Sequence, residues 1–240
     1  MKKIVVVFCI LICFVSITQA QFSQFHVGLG IPTGKFADGD ETKDNPLDGG
    51  KGFAAKGFTV GYKLYFPLNI ENFSGVFGIE ALYNGLNSDM KEFIEEDATD
   101  VTFMKYLNFP ATIGINYSFL IKDNVKMYGE AAIGANYSML TKLSAEFEWN
   151  DYQYGVTEGV TYTFTPILGF TYALEGGFFI NNKISIGLRY NNLGSYKFKY
   201  KEKTTEYSDY NDRRYSDTES GRFKKALPIT TLSLCVGVLF

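Results

Sequence analysis

Cysteine is scarce and poorly placed for cross-linking. Of three, Cys9 and Cys13 fall within the first twenty residues, which leaves Cys235 alone in the rest of the chain. One thiol permits no intramolecular disulfide. Histidine is rarer still: His26 stands alone, so a metal centre would have a single imidazole and no clustered cysteine. The formal net charge of −3 removes the basic excess of a nucleic-acid binder. Long hydrophobic runs are also missing. Beyond residue 20 nothing approaches the roughly 20 apolar residues of a membrane-spanning helix, and mean hydropathy is −0.05.

What is present begins with Lys2 and Lys3, an uncharged run over residues 4–17, and Thr18-Gln19-Ala20, with small residues at the cleavage-site positions. That is the layout of a secretory signal peptide, and neither Cys9 nor Cys13 follows the small residues of a lipoprotein signal. The expected organisation is a cleaved leader over residues 1–20 and one domain over 21–240. Losing two lysines and no acids moves the charge from −3 to −5. Aromatics make up 17% of the residues and glycine 24 of 240. An exported chain that is rich in both, alternating, and nowhere continuously apolar fits a membrane barrel, whose strands give a weak hydropathy signal.

The alternation supports that reading. In the last stretch, residues 226–240, Leu232, Leu234, Val236, Val238 and Phe240 share one face, and period-two patterning reads as a strand. A strand that ends the chain on an aromatic finds its simplest neighbour in the first strand, which closes the sheet. Seven further segments alternate: 25–31, 58–66, 76–83, 107–119, 125–139, 162–180 and 184–190. No charged residue falls on the apolar face of any, whereas Lys63, Glu80, Lys126, Glu130, Glu175 and Arg189 all fall on the other. A soluble barrel would turn the apolar face inward. The Gly, Asn, Ser and Thr content of the polar face argues for the opposite sense. So do aromatics near strand ends, such as Tyr62, Phe66, Tyr83, Tyr117, Phe119, Tyr162 and Tyr190, which suit membrane interfaces.

Connections alternate in length. They are short after the second, fourth and sixth segments, and long and polar over 32–57, 84–106, 140–161 and 191–225. This predicts an all-β fold: an eight-stranded up-and-down antiparallel transmembrane β-barrel with short periplasmic turns and long extracellular loops in the bacterial outer membrane. Joining the sixth and seventh strands by Asn181-Asn182-Lys183 pairs 180 with 184. It therefore sets Glu175 opposite Arg189 inside the barrel, where a bidentate contact would satisfy both.

The opening VGLGIPTGKF, the strand YLNFPATIGINYSF, the strand ISIGLRYNNLG and the terminal Phe240 resemble the outer-membrane β-barrel domain family common in Bacteroidetes, often labelled porin family or PorT-like. The resemblance spans the whole mature chain and carries architecture, not a catalytic signature. It implies that Phe240 belongs to the signal read by the barrel-assembly machinery.

No catalytic, cofactor or metal residue is expected. His26 points into the lumen by parity, away from lipid, which disfavours a lipid hydrolase. The first-loop acids Asp38, Asp40, Glu41, Asp44 and Asp48 lack the spacing of a calcium loop. Glycine-rich GLGIPTG and DGGKG lack the strand-to-helix setting of a phosphate loop. The last loop interleaves lysines and arginines with tyrosines, and Trp149, Tyr196, Lys197, Lys199, Tyr200, Lys201, Arg213 and Arg214 form the candidate binding surface. Its partners would be outer-membrane lipid and lipopolysaccharide, or a protein or glycan. The favoured expectation, since exposed charge pairs are common, is nevertheless that this basic loop packs on the acidic second loop. Alternation also continues through Leu143, Ala145, Phe147 and Trp149 and returns through Val156 and Val160, so a hairpin with a free edge should protrude beyond the membrane. Eight strands leave an interior that side chains fill. The expected role is therefore structural or binding, with a small-solute channel and an envelope-lipid enzyme as the alternatives.

Overall fold

The computed structural model describes residues 22–39, 46–151, 154–208 and 213–240. The expected leader and the acids Asp40, Glu41 and Asp44 lie outside them. In chain order the strands begin with β1 (Phe22–Pro32), β2 (Ala54–Pro67) and β3 (Phe73–Leu86), followed by a short helix α1 (Ser88–Glu95). Next come β4 (Asp100–Thr102), β5 (Tyr106–Lys122), β6 (Val125–Leu140), β7 (Leu143–Asp151) and β8 (Tyr154–Phe164). The chain continues with β9 (Ile167–Ile180), β10 (Ile184–Tyr196), β11 (Lys199–Ser208), β12 (Arg213–Arg222) and β13 (Leu227–Leu239).

Eight of these close into an antiparallel barrel in the order β1-β13-β10-β9-β6-β5-β3-β2. The last strand seals against the first, with Val27 opposite Val236 and Leu29 opposite Leu234. At the seam Ser23 N donates to Phe240 O at 2.7 Å and Phe240 N returns a bond to Ser23 O at 3.0 Å. Closure leaves no unpaired strand edge in the hydrocarbon region, which is the condition for β-structure to cross a membrane. The alternation sorts as expected: Phe25, Val27, Leu29, Ile113, Ile133, Leu188 and Val236 are exposed on the outer wall, and the polar sides of the same strands are buried in the lumen. Aromatics group towards both ends of that wall, Phe58 with Tyr83 and Tyr172 with Tyr190 above, Phe73 with Tyr117 and Tyr62 with Phe240 below. On β6, ten residue steps separate Met127 from Tyr137. That is about 33 Å along the strand and about 24 Å of depth at a tilt near 45°, the height of an outer-membrane apolar band.

The predicted sixth strand, 162–180, is too long. The chain breaks at Thr165-Pro166, so Tyr162 and Phe164 belong to β8 outside the membrane and not to an aromatic girdle. Proline cannot donate to the ladder and sits at the junction between two sheets. The long connections are also more ordered than polar loops. They build a second antiparallel sheet, β12-β11-β8-β7-β4, above the barrel. The hairpin β7–β8 does protrude, with Leu143 opposite Tyr162 and Ala145 opposite Val160. Its own edges are taken, however, by β4 on one side and β11 on the other. The acidic second loop accordingly packs against β7, while the basic last loop packs against β8. Within the sheet the hairpin stands between the two oppositely charged loops, which meet through apolar residues beneath it.

A hydrophobic cluster fills the extracellular mouth between barrel and upper sheet. It draws Phe36 and Phe53 from the first loop, Met90 from α1, Met104 from the second loop, Phe198 and Phe223 from the last, and Tyr106 and Leu227 from the upper ends of β5 and β13. The Asn87 side chain caps α1 by accepting from Met90 N at 3.0 Å, which frees the helix to turn Met90 inward.

Because the barrel has no free edge from which to unravel, the purified protein should migrate differently on a detergent gel before and after boiling. Identical migration would mean that the sheet is open.

Candidate functional site

Parity delivers the charged side chains to one level of the lumen. Glu130 on β6 and Glu175 on β9 are directly opposed, an arrangement that is repulsive if left alone. Two cations bridge them. Lys63 Nζ donates to Glu130 Oε2 at 3.0 Å and to Glu175 Oε2 at 2.6 Å. Arg189 Nη1 donates to Glu130 Oε1 at 3.0 Å and to Glu175 Oε2 at 2.9 Å. Its Nη2 lies 2.7 Å from Glu80 Oε1, close enough for an ion pair although not aligned as a hydrogen bond. Arg189 Nε donates to Asn191 Oδ1 at 3.0 Å. The register sets Glu175 opposite Arg189, but the guanidinium is shared among three carboxylates and not bidentate on one.

In the closed order of strands β2 faces β9 across the barrel, and β3 faces β10. The pairs Lys63–Glu175 and Arg189–Glu80 therefore run from wall to opposite wall, as two crossing braces. Only long side chains can reach that far, and small residues beside them make room. A Cβ on Gly61 would meet the His26 ring at 2.4 Å, and one on Gly187 would lie 2.3 Å from Tyr128 Oη. All five charged groups are almost fully buried; Arg189 retains 1% of its surface. With three carboxylates and two cations the network carries a formal charge of −1. His26 Nε2 stands 3.8 Å from Glu80 Oε1 at its edge.

Lys126 does not join. It has the inward parity but sits two inward positions lower, half-buried at the periplasmic mouth, with Tyr128 between it and Glu130. Sequence reasoning missed the aromatic tier there. Phe22 stacks on Tyr65 (4.3 Å between centroids) and Tyr128 on Phe179 (4.1 Å). Tyr128 Oη donates to Glu175 Oε1 at 2.6 Å, and Tyr65 Oη lies 2.7 Å from Gln24 Oε1 and 3.2 Å from Glu130 Oε2. The signal was present: Tyr65 and Phe179 occupy the polar parity of their strands.

The candidate surface residues divide. Lys197, Lys199, Lys201 and Arg214 are exposed, and Tyr200 is half-buried. Tyr196 is a correction: it is 5% exposed, and its hydroxyl donates to Leu193 O and accepts from Asn136 Nδ2. The side chains of Trp149 and Arg213 lie outside the described residues. Arg214 lies over the Tyr207 ring at 5.6 Å.

The register of the upper sheet supplies an order that the sequence left implicit. Lys199 pairs with Arg222, Lys201 with Thr163 and Ser220, and Lys203 with Thr161 and Thr218, so these share one face of basic and hydroxyl groups. The other face carries Tyr162, Phe164 and Tyr200, which pack on the hydrophobic cluster. The lysine face is thus the outer one. On the inner face Tyr162 donates to Glu202 Oε1 at 3.0 Å, and burial together with that bond pushes the phenol above its usual range. Lys224 pairs with Asp48 of the first loop at 2.9 Å; exposed, the pair contributes little.

A closed, lipid-faced sheet with a polar interior defines an outer-membrane β-barrel protein. The chain belongs to the outer membrane protein beta-barrel domain family, whose model matches residues 5–220. Among solved structures it is similar to Ail, the attachment invasion locus protein of Yersinia pestis, in complex with the heparin analogue sucrose octasulfate. That likeness has 15% identity, a TM-score of 0.39, and coverage of 91% of this chain and 98% of that one. It is also similar to a major outer membrane protein from Thermus thermophilus, at 9% identity and a TM-score of 0.44, over 91% and 99% of the two chains. Such distant likenesses decide nothing further about this chain. Comparison with curated proteins finds no match.

Removing Arg189 leaves three buried carboxylates facing one lysine. Arg189→Ala should therefore destabilise the barrel by roughly 3–5 kcal/mol, read from the urea midpoint of unfolding in lipid vesicles. Glu80→Gln, which brings the network to formal neutrality, should cost less than Glu175→Gln, which strips partners from Lys63, Arg189 and Tyr128 together. The reverse order would show that the network is not the unit described.

Proposed function

We propose that this protein is a non-conducting outer-membrane barrel whose work is done outside the membrane by the basic outer face of its upper sheet. The single observation that carries the reading is the pair of ionic braces spanning the lumen, Lys63–Glu175 and Arg189–Glu80. Solute passage would have to break both, along with the aromatic tier beneath and the hydrophobic cluster above. That disfavours the channel alternative despite the porin label attached to the resembling family. The short motifs quoted above support the finer PorT-like, Bacteroidetes affiliation. The leader-like residues 1–20 support export, and the exposed terminal Phe240 supports recognition by the barrel-assembly machinery. A lipid-modifying enzyme gains no support from His26, whose near polar neighbour is Glu80 deep in the lumen.

The ligand best suited to the face of Lys199, Lys201, Lys203 and Arg222, edged with threonine and serine hydroxyls, is an anionic glycan. Ammonium and guanidinium groups attract its charge, and hydroxyls exchange hydrogen bonds with sugar.

In planar bilayers the protein should show no stable conductance steps; reproducible single-channel steps would favour the channel. Changing Lys199, Lys201 and Lys203 to Glu together should weaken binding of dextran sulfate at least tenfold, and the wild-type affinity should fall as salt rises. Unchanged binding would remove the lysine face from the account.

A further inference from the structure

A second surface lies at the foot of the lysine face, where the barrel wall meets the aqueous side. The pairing of β10 with β13 shifts register between Asn192 and Ser195, and Gly194 takes φ of +105°, a conformation that other residues rarely adopt. Gly194 N donates to Asn192 Oδ1 at 3.1 Å, which fixes the bulge. On β9 Gly169 faces the lumen between outward Leu168 and Phe170, and a Cβ there would meet the inward Tyr196 ring at 2.4 Å, so the inner side of the bulge is closely packed. Beside the bulge the outer wall carries a depression of about 520 Å³, lined among others by Leu168, Phe170, Ser195, Lys197 and Arg222.

Its chemistry is divided by height. At the top, Lys197 and Arg222 are exposed, and Arg222 Nε donates to Lys197 O at 3.3 Å, which anchors the guanidinium beside Lys197. Below, Leu168 and Phe170 are 70% and 63% exposed, among the most exposed apolar side chains of the wall. Leu168 pairs with Tyr137, which places it at the upper aromatic level. Phe170 also borders a second depression of about 630 Å³ running down the wall over Ile113, Ile115, Ala131 and Ile133, where the small Ala131 leaves the surface low between larger neighbours. Two cations over a continuous apolar track, at the boundary of the outer leaflet, match an amphiphile with an anionic headgroup and acyl chains.

We propose that this track binds a phosphorylated glycolipid of the outer leaflet, with phosphate at Lys197 and Arg222 and an acyl chain along Leu168, Phe170 and the groove below. The site is distinct from the sugar-binding face proposed above and shares only Arg222 with it. A lone phosphate would use the cations but not the track, and an uncharged lipid the track but not the cations. The occupant must supply both.

The test is equilibrium binding of lipid A carrying its phosphates to the folded protein in detergent, against the same lipid after phosphatase treatment. Binding should weaken at least tenfold on dephosphorylation, and Lys197→Gln with Arg222→Gln should lower the phosphorylated lipid to the dephosphorylated level. Leu168→Ser with Phe170→Ser should weaken both forms alike. The heat shift on a gel reports folding; should either pair fail to fold, Lys197→Gln and Phe170→Ser alone carry the test. Lys199, Lys201 and Lys203 variants should bind the lipid as the wild type does, which separates this site from the lysine face. Equal affinity for both forms of lipid A, displacement by an equal concentration of inorganic phosphate, equally tight phosphatidylglycerol, or unchanged binding by the variants would overturn the proposal.

Discussion

The structure depends on burying five charged groups at one level of a narrow lumen. Stripping water from each ion costs several kcal/mol even after relaxation, so the arrangement stands only if every partner is in place. Two opposed carboxylates, Glu130 and Glu175, form the hub, and Lys63 and Arg189 each touch both. Much of the surrounding sequence follows from this requirement. Lys63 and Arg189 must be long because they cross the barrel. Gly61 and Gly187 must be small because the His26 and Tyr128 side chains occupy the space beside them. The phenol of Tyr128 gives Glu175 a further donor and, through its stack on Phe179, joins the ionic level to the aromatic tier that separates it from the periplasm.

An interior spent on its own cohesion turns attention to the outside. The barrel wall offers lipid only apolar and aromatic surface over about 24 Å of depth, whereas β11 of the upper sheet sorts charge by face. On β11 the lysines at 199, 201 and 203 alternate with Tyr200 and Glu202. Pairing with β8 turns the tyrosine side onto the hydrophobic cluster and the lysine side to water. The same cluster therefore seats the sheet and decides which of its faces meets water.

The barrel was legible because a strand's two-residue period, read through charge, separates two faces. The Gly, Asn, Ser and Thr of the polar face, together with aromatics near strand ends, say which one meets lipid. Glu175 and Arg189 could be set opposite each other by counting from a three-residue turn, since one register error would have moved every side chain to the wrong face. What escaped was governed by interruptions of that period. Pro166 ends one sheet and begins another inside what reads as a single alternating run. The bulge at Gly194 inserts one extra residue into β10 and reverses its parity, so Tyr196 turns inward and Lys197 outward. Lys126 has the right parity and the wrong height, a distinction that counting faces does not make. The hairpin β11–β12 alternates one polar residue with another, which hydrophobic patterning does not register as a strand.

The central claim is that the lumen charges act as one network bracing opposite walls. A double-mutant cycle on Glu175→Gln and Arg189→Met, measured as unfolding free energy in lipid vesicles, tests it most directly. The account predicts a coupling energy of about 1.5–3 kcal/mol, the range of directly interacting groups. Additivity of the two changes to within about 0.5 kcal/mol, as for sites that share no partner, would contradict it.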